Sequence, residues 1–369
     1  MTAVKAEARI GTGSVWIWGD NAFKQQCDGT TDSRLLPAKL DGLDDVVTIA
    51  GGGGHGVVLR SDRTLWSWGR NDHGQVGNGT NENSPTPAKI DGLEDVAVLS
   101  GGGGHTLALT GDGTVWAWGH NGRGDLGDGT TDNRNRPVKV KNLTDVAAIS
   151  WGGGHSVALR NDGSVWTWGH NLFGGLGDGT TETRLEPVKV DLADVVEVTG
   201  GGGHTLARTA DGTLWAWGRN DRGQVGDGGN ETQLSPVRVK GLENVEIRSF
   251  IGGYFHSLVL ATDGTVWTWG NNDSGQLGDG TFNNRNNPDQ VAGLSGVTAV
   301  AGGGGRNEFG PGGHTLALLE DGTIRGWGLN DAGQLGDGTT ENRTRPVDVS
   351  GLTDVIAIVA AGGYSMALA

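Results

Sequence analysis

A single cysteine, Cys27, in 369 residues rules out an internal disulfide, so nothing in the chain ties its fold to an oxidising compartment. No apolar run approaches the roughly 20 residues of a membrane-spanning helix. The opening segment MTAVKAEARIGTGSVW also lacks the apolar core of a signal peptide. A cytoplasmic location is the default expectation, although a secreted mature form with its leader removed and Met1 added would read the same. Positive charge is scarce too: 28 Lys and Arg face 43 Asp and Glu, for a net charge of −15. Sequence-independent nucleic-acid binding draws its affinity from Lys and Arg that displace counterions from phosphates. No nucleic acid and no membrane are therefore expected as partners, whereas a basic protein partner is permitted.

What the chain has in abundance is glycine, 71 residues, and tryptophan, 14 residues. The glycines show no collagen-like triplet period and so read as positioned turn residues. The length exceeds what one hydrophobic core usually serves, which leaves several domains or one repeat architecture. A repeat is present. The second tryptophan of a W-x-W-G motif falls at Trp18, Trp68, Trp118, Trp168, Trp217 and Trp269, and a degenerate seventh copy ends at Trp327.

One unit, read from Asp95, runs DVAVLS, GGGG, HTLALT, the turn GDG, TVWAWG, a long loop to Arg136, and PVKV. Its four short alternating segments, bounded by Gly, Asp and Asn, predict a four-stranded antiparallel sheet whose last strand begins at Pro137. Such a sheet cannot bury both faces alone, so seven of them must pack around an axis. The fold class is thus all-β, a seven-bladed β-propeller spanning residues 1–369 as one domain, with an insertion near 305–312. Trp116 and Trp118, two apart on a strand, project to one face and fill the space between blades. The C-terminus stops two strands into a unit and the N-terminus begins at the third, so the two ends share one blade. That closure removes exposed sheet edges.

The motifs G-G-x-x-H-[ST]-x-A-L, D-G-[TS]-[VLI]-W-x-W-G and N-x-x-G-Q-[LV]-G-[DN]-G-T resemble the repeat of the RCC1 superfamily, over almost the whole chain. The resemblance implies a propeller that binds proteins by one face, and the uniformity of the repeats fits a bacterial source. The family includes an exchange factor for a small GTPase, ultraviolet-B photoreceptors, parts of ubiquitin ligases and bacterial β-lactamase inhibitors. The photoreceptors require Trp and Arg before the repeat histidine, where this chain has Gly-Gly before His55, His105, His155, His204 and His314.

The repeated polar residues read as structural. His55, His105, His155, His204, His256 and His314 share one repeat position, with Tyr364 in the seventh. Packed sheets lie about 10 Å apart, whereas two zinc ligands must lie within about 4 Å of each other, so these histidines cannot share an ion. Asp128, Asp178, Asp227, Asp279 and Asp337 sit in short Asp-Gly turns that offer too few oxygens for calcium. The glycine tetrads lack the spacing of a phosphate loop. Arg34, Arg134, Arg184, Arg285 and Arg343 recur three residues before a proline and are expected to brace the long loops. No unrepeated nucleophile, base and acid stand together, so no catalytic residue, cofactor or metal is expected.

Function is therefore sought where the repeat breaks. The glycine tetrads and the long loops emerge on one face of a four-strand meander. On that face Trp151 replaces a tetrad glycine, Tyr254 and Phe255 replace two more, and Arg306, Asn307, Glu308 and Phe309 lie in an insertion. The long loops add Phe23, Lys24, Leu172 and Phe173. Exposed aromatics with a charged rim suit a protein-binding surface, so these residues are the candidate contact set for a protein partner of a monomeric propeller. Two other readings stand beside it. One is an axial pocket for a small ligand or reaction, using His256, Arg306 and Glu308. The other is a consensus-like or engineered scaffold without an evolved target. Arg325, where a blade tryptophan is expected, is taken to mark a looser last blade.

Overall fold

The computed structural model describes residues 11–305 and 312–369. These residues form seven four-stranded antiparallel sheets, each a blade of a propeller. The third blade is typical: Val96–Gly101, His105–Thr110, Val115–Gly119 and Arg134–Lys139. Its second and third strands are joined by a tight turn in which Gly113 takes φ +78° and the Asp112 carboxylate accepts the Thr114 amide at 3.0 Å. The fourth strand begins at Arg134, three residues before the position expected from the sequence, because a bulge shifts its register. Arg134 lies opposite Gly119, but Val138 lies opposite Ala117. Pro137 is accommodated by that irregularity on an edge strand.

The first strands of successive blades meet around the axis, so the proline-bearing fourth strands face outward. Proline there denies a donor to any incoming strand. Between blades lie seven apolar cores of one design. In one, Val57, Leu59, Leu65 and Ile90 of the second blade pack against Leu99 and Trp118 of the third. The second tryptophan of all seven motifs is fully buried, while the first, as in Trp116, is half-buried over the same core.

Ring closure pairs the chain ends. Val15–Gly19 runs antiparallel to Tyr364–Leu368, from Val15 opposite Leu368 to Gly19 opposite Tyr364. Around the axis the tetrads hydrogen-bond by backbone from blade to blade, as in Gly153 N to Gly201 O at 2.8 Å and Gly362 N to Gly52 O at 3.2 Å. Only glycine fits there: a Cβ on Gly52 would lie 2.2 Å from both the Gly102 carbonyl and the His55 ring. Among the described residues no helix is long and apolar enough to cross a membrane.

Candidate binding face

The repeated histidines join each blade to the next. His105 Nε2 lies 3.0 Å from the Ser156 hydroxyl, which donates to the Asp125 carbonyl at 2.9 Å. Trp168 Nε1 donates to the same carbonyl at 3.0 Å. Because the hydroxyl proton is committed to the carbonyl, the imidazole must donate through Nε2, which fixes the neutral tautomer. Burial drives the same result, pushing His105 down to about 4 and His155 to about 3. His55, His155, His204, His256 and His314 repeat the contact with Thr106, Thr205, Ser257, Thr315 and Ser365. This network is structural. Among the described residues no group of three or more His, Cys, Asp or Glu is arranged to hold a metal ion.

The long loops are internally braced. Asn121 accepts the Leu126 amide at 3.0 Å and donates to Asp128 at 3.1 Å, and Arg134 pairs with Asp128 at 2.8 Å. Arg34, Arg184, Arg285 and Arg343 make the equivalent ion pairs at 2.8–2.9 Å. Where Asn78 replaces the aspartate, Ser84 replaces the arginine, so the buried charge disappears from both sides at once.

The residue after each W-G hydrogen-bonds through its amide to the end of the adjoining tetrad, as Arg70 does to Gly54 at 2.9 Å and His120 to Gly104 at 2.8 Å. These residues therefore encircle the mouth of the axial channel. Three of them meet the long loop of the preceding blade. Arg70 lies over Phe23 at 4.8 Å, His120 packs edge-on against His73 at 4.9 Å, and Arg219 lies 4.7 Å from Phe173 and 4.8 Å from Phe255. Arg70, His120 and Arg219 are not among the residues that break the repeat motifs. Tabulating the residue after each W-G would have found them.

The structure gathers Trp151, Tyr254, Phe255 and Phe173 into one cluster. Trp151 and Tyr254 lie 6.3 Å apart and Tyr254 and Phe255 5.5 Å apart, with Arg219 bridging to Phe173. The expectation that all four are exposed is corrected: Tyr254 and Phe255 are each 4% exposed. Missing side chains at Gly202 and Gly304 leave room into which the Tyr254 ring packs, so Tyr254 plugs the channel mouth, while Phe255 lies beneath Arg219. Trp151 and Phe173 remain partly accessible, and Leu172 beside them is 62% exposed. Phe23 and the exposed Lys24 sit elsewhere on the mouth, three blades away. Arg306, Asn307, Glu308 and Phe309 lie outside the described residues. Along the axis, the cavity lined by Gly52, Gly103, Trp151, Tyr254 and Gly303 holds about 10 Å³, the space of roughly one water.

Arg325 does not loosen its blade. All four strands of that blade are present, and Arg325 forms an ion pair with Asp348 directly opposite it. Other blades place a cation over the tryptophan at this pair, as Lys139 does over Trp116 at 5.1 Å. The seventh blade exchanges a cation–π contact for an ion pair.

A family model described as "Regulator of chromosome condensation (RCC1) repeat" matches residues 12–59, 63–109, 112–159, 162–208, 211–260, 263–307 and 321–368. Among curated proteins, the RCC2 homolog of Danio rerio is 41% identical over 99 residues, which is 26% of this chain and 19% of that protein. The human probable E3 ubiquitin-protein ligase HERC3 is 41% identical over 100 residues, 26% of this chain and 9% of that protein. The matches thus span a fifth or less of these relatives. Among solved structures, Prp20p of Saccharomyces cerevisiae superposes with a TM-score of 0.87 at 23% identity, covering 98% of this chain and 92% of that one. Human WBSCR16 superposes with a TM-score of 0.83 at 23% identity, covering 97% and 99%. These structural likenesses establish the fold.

Proposed function

This chain belongs to the family of proteins built from regulator of chromosome condensation (RCC1) repeats, and from that premise we propose that it is a non-enzymatic propeller that holds a protein partner on its glycine-loop face. The supporting observation is the gathering of departures from the repeat at one end of the molecule. Trp151, Leu172 and Phe173 of the fourth blade and Arg219 of the fifth adjoin at the channel mouth with partly accessible apolar and cationic surface, the composition of an interaction hot spot. Family precedent agrees: the Prp20p structure was described with that protein's binding properties to Gsp1p and histones, and Kap60 has been seen bound to yeast RCC1.

An axial small-molecule site is the weaker reading, since an axial space of about 10 Å³ is far below the 300–1,000 Å³ of ordinary ligand pockets. The test is capture from native lysate with the intact chain and with a Trp151→Ala, Leu172→Ala, Phe173→Ala variant that retains its fold by circular dichroism. A partner held by the intact chain and released by the variant supports the assignment. Equal capture by both places the contact elsewhere.

A further inference from the structure

The seven residues that follow W-G in each repeat form the rim of the channel mouth, and their charges are unevenly distributed. In the second to fifth blades these segments, 70–76, 120–126, 170–176 and 219–225, contain Arg70, Arg123, Arg219 and Arg222, with His73, His120 and His170, against three aspartates. In the other three blades the equivalent segments, 20–26, 271–277 and 329–335, contain Asp20, Asp273 and Asp331 against Lys24 alone. In a chain of net charge −15, the arginines of this crescent outnumber its aspartates by one, whereas in the opposite arc the aspartates outnumber the single lysine by two; burial pushes His170 below the usual imidazole range, so it adds shape rather than charge. Leu172, 62% exposed, stands within the crescent.

At the third position after the D-G or N-G of six of the seven long loops stand Asp32, Glu82, Asp132, Glu182, Glu231 and Glu341, all exposed, with Asn283 in the remaining loop. The crescent is thus enclosed by an acidic girdle. A broad polyanion such as a nucleic-acid duplex would lie across that girdle and be repelled, whereas a narrow chain reaching the mouth would meet only the crescent.

The crescent's cations are held by replaceable partners. Arg222 lies 3.3 Å from Asp273, with both side chains about two-fifths exposed. Arg219 pairs with Asp221 at 2.8 Å and Arg70 with Asp72 at 2.9 Å, the aspartates being about half exposed. Only Asp125, against His120 at 2.7 Å, is buried. Exposed pairs contribute little net stability, so an incoming carboxylate can replace an arginine's aspartate at small cost. Arg219, stacked between Phe173 and Phe255, is already held in place for such a contact.

We propose that the second-to-fifth-blade arc of the channel mouth recognises an acidic linear segment of a partner protein, with its carboxylates on Arg123, Arg219 and Arg222 and an apolar side chain against Leu172. This rests on the interaction face proposed above and names the chemistry that face selects. The probe is a fluorescein-labelled ten-residue peptide of Asp and Glu with a central Leu, measured by anisotropy against the same peptide with Lys or Ser at the acidic positions. The acidic peptide is expected to bind, and the Lys and Ser peptides to bind at least tenfold more weakly. Raising salt from 50 to 300 mM should weaken binding severalfold, and Arg123→Glu with Arg222→Glu should reduce it at least tenfold. Asp132→Lys with Glu182→Lys in the girdle should tighten it.

An acidic peptide that binds no better than the Ser peptide, or that ignores the arginine reversal, overturns the proposal. A single-stranded DNA oligonucleotide that binds as tightly as the acidic peptide, with the same dependence on Arg123 and Arg222, replaces the peptide assignment with a nucleic-acid one. A lysate partner that depends on Trp151, Leu172 and Phe173 but ignores the arginine reversal leaves the interaction face intact and removes only this inference.

Discussion

Six of the seven interfaces between blades are tied by a neutral histidine that donates to a Ser or Thr of the next blade, and the interface at the ring closure is tied differently. There Tyr364 replaces the histidine, Gly56 replaces the hydroxyl residue, and Cys27 replaces a glycine. The Tyr364 hydroxyl donates past Gly56 to the His55 carbonyl at 2.5 Å. In the ordinary interfaces the glycine equivalent to Cys27 lies against the blade tryptophan: a Cβ on Gly77 would come within 2.7 Å of the Trp118 indole. Cys27 has that Cβ, and Trp68 instead lies so close over Gly56 that a Cβ there would be 2.5 Å from its ring. Cys27, Trp68 and Tyr364 share one apolar cluster. Burial, followed by the Asp28 charge, pushes the Cys27 thiol up to about 12, so it acts as packing rather than as a nucleophile. Three substitutions that look unrelated along the chain are one compensated set, because in a propeller each repeat packs against its neighbour rather than against itself.

Acid should separate the two kinds of interface most strongly. A histidine near 3 to 4 when folded and near 6.5 when unfolded stays neutral in the fold while the unfolded chain takes up a proton. Its contribution is thus complete above pH 6.5 and is lost as pH falls toward 4. The loss reaches up to about 1.4 kcal/mol per histidine per pH unit. Urea unfolding between pH 7.5 and 5 should show this slope, and His105→Gln should reduce it by about one proton equivalent. An unchanged slope would contradict the neutral-histidine assignment.

Trp118→Ala, which empties an ordinary core, should cost about 3–5 kcal/mol. Gly56→Thr should cost about 1–3 kcal/mol by overpacking Trp68, and adding Cys27→Gly with Tyr364→His should recover most of that loss. If the triple variant is no more stable than Gly56→Thr alone, the three positions are not coupled. Tyr364→Phe, which removes one of the two donors to the His55 carbonyl and leaves the Gly52 amide at 2.9 Å, should cost about 0.5–1.5 kcal/mol. The smallest effect belongs to the mouth: Arg222→Glu should change stability by less than about 0.5 kcal/mol.

The repeat, its four strands, the closure by the chain ends and the loop-bracing role of the arginines were legible because glycine spacing and tryptophan pairs are local signals. Trp118 could be assigned to the core from its neighbours in sequence alone. The burial of Tyr254 and Phe255 could not, since the Tyr254 ring packs against Gly202 and Gly304, one blade away on either side, and Phe255 packs against Tyr254 and Arg219. Nor could the start of the fourth strand at Arg134, which a cross-strand bulge sets, nor the partner of Arg325, which is a residue on the facing strand.

By itself, the sequence determined the architecture: seven units, each needing neighbours to bury its tryptophans, with two half-units that only each other could complete. The tertiary structure decided which departures from the repeat belong together. Cys27 with Gly56 and Tyr364, Phe23 with Arg70, and Phe173 with Arg219 and Phe255 lie about 30 to more than 300 positions apart. They meet because closing the ring sets each blade's side chains against those of the next, and no local pattern in the chain encodes that distance.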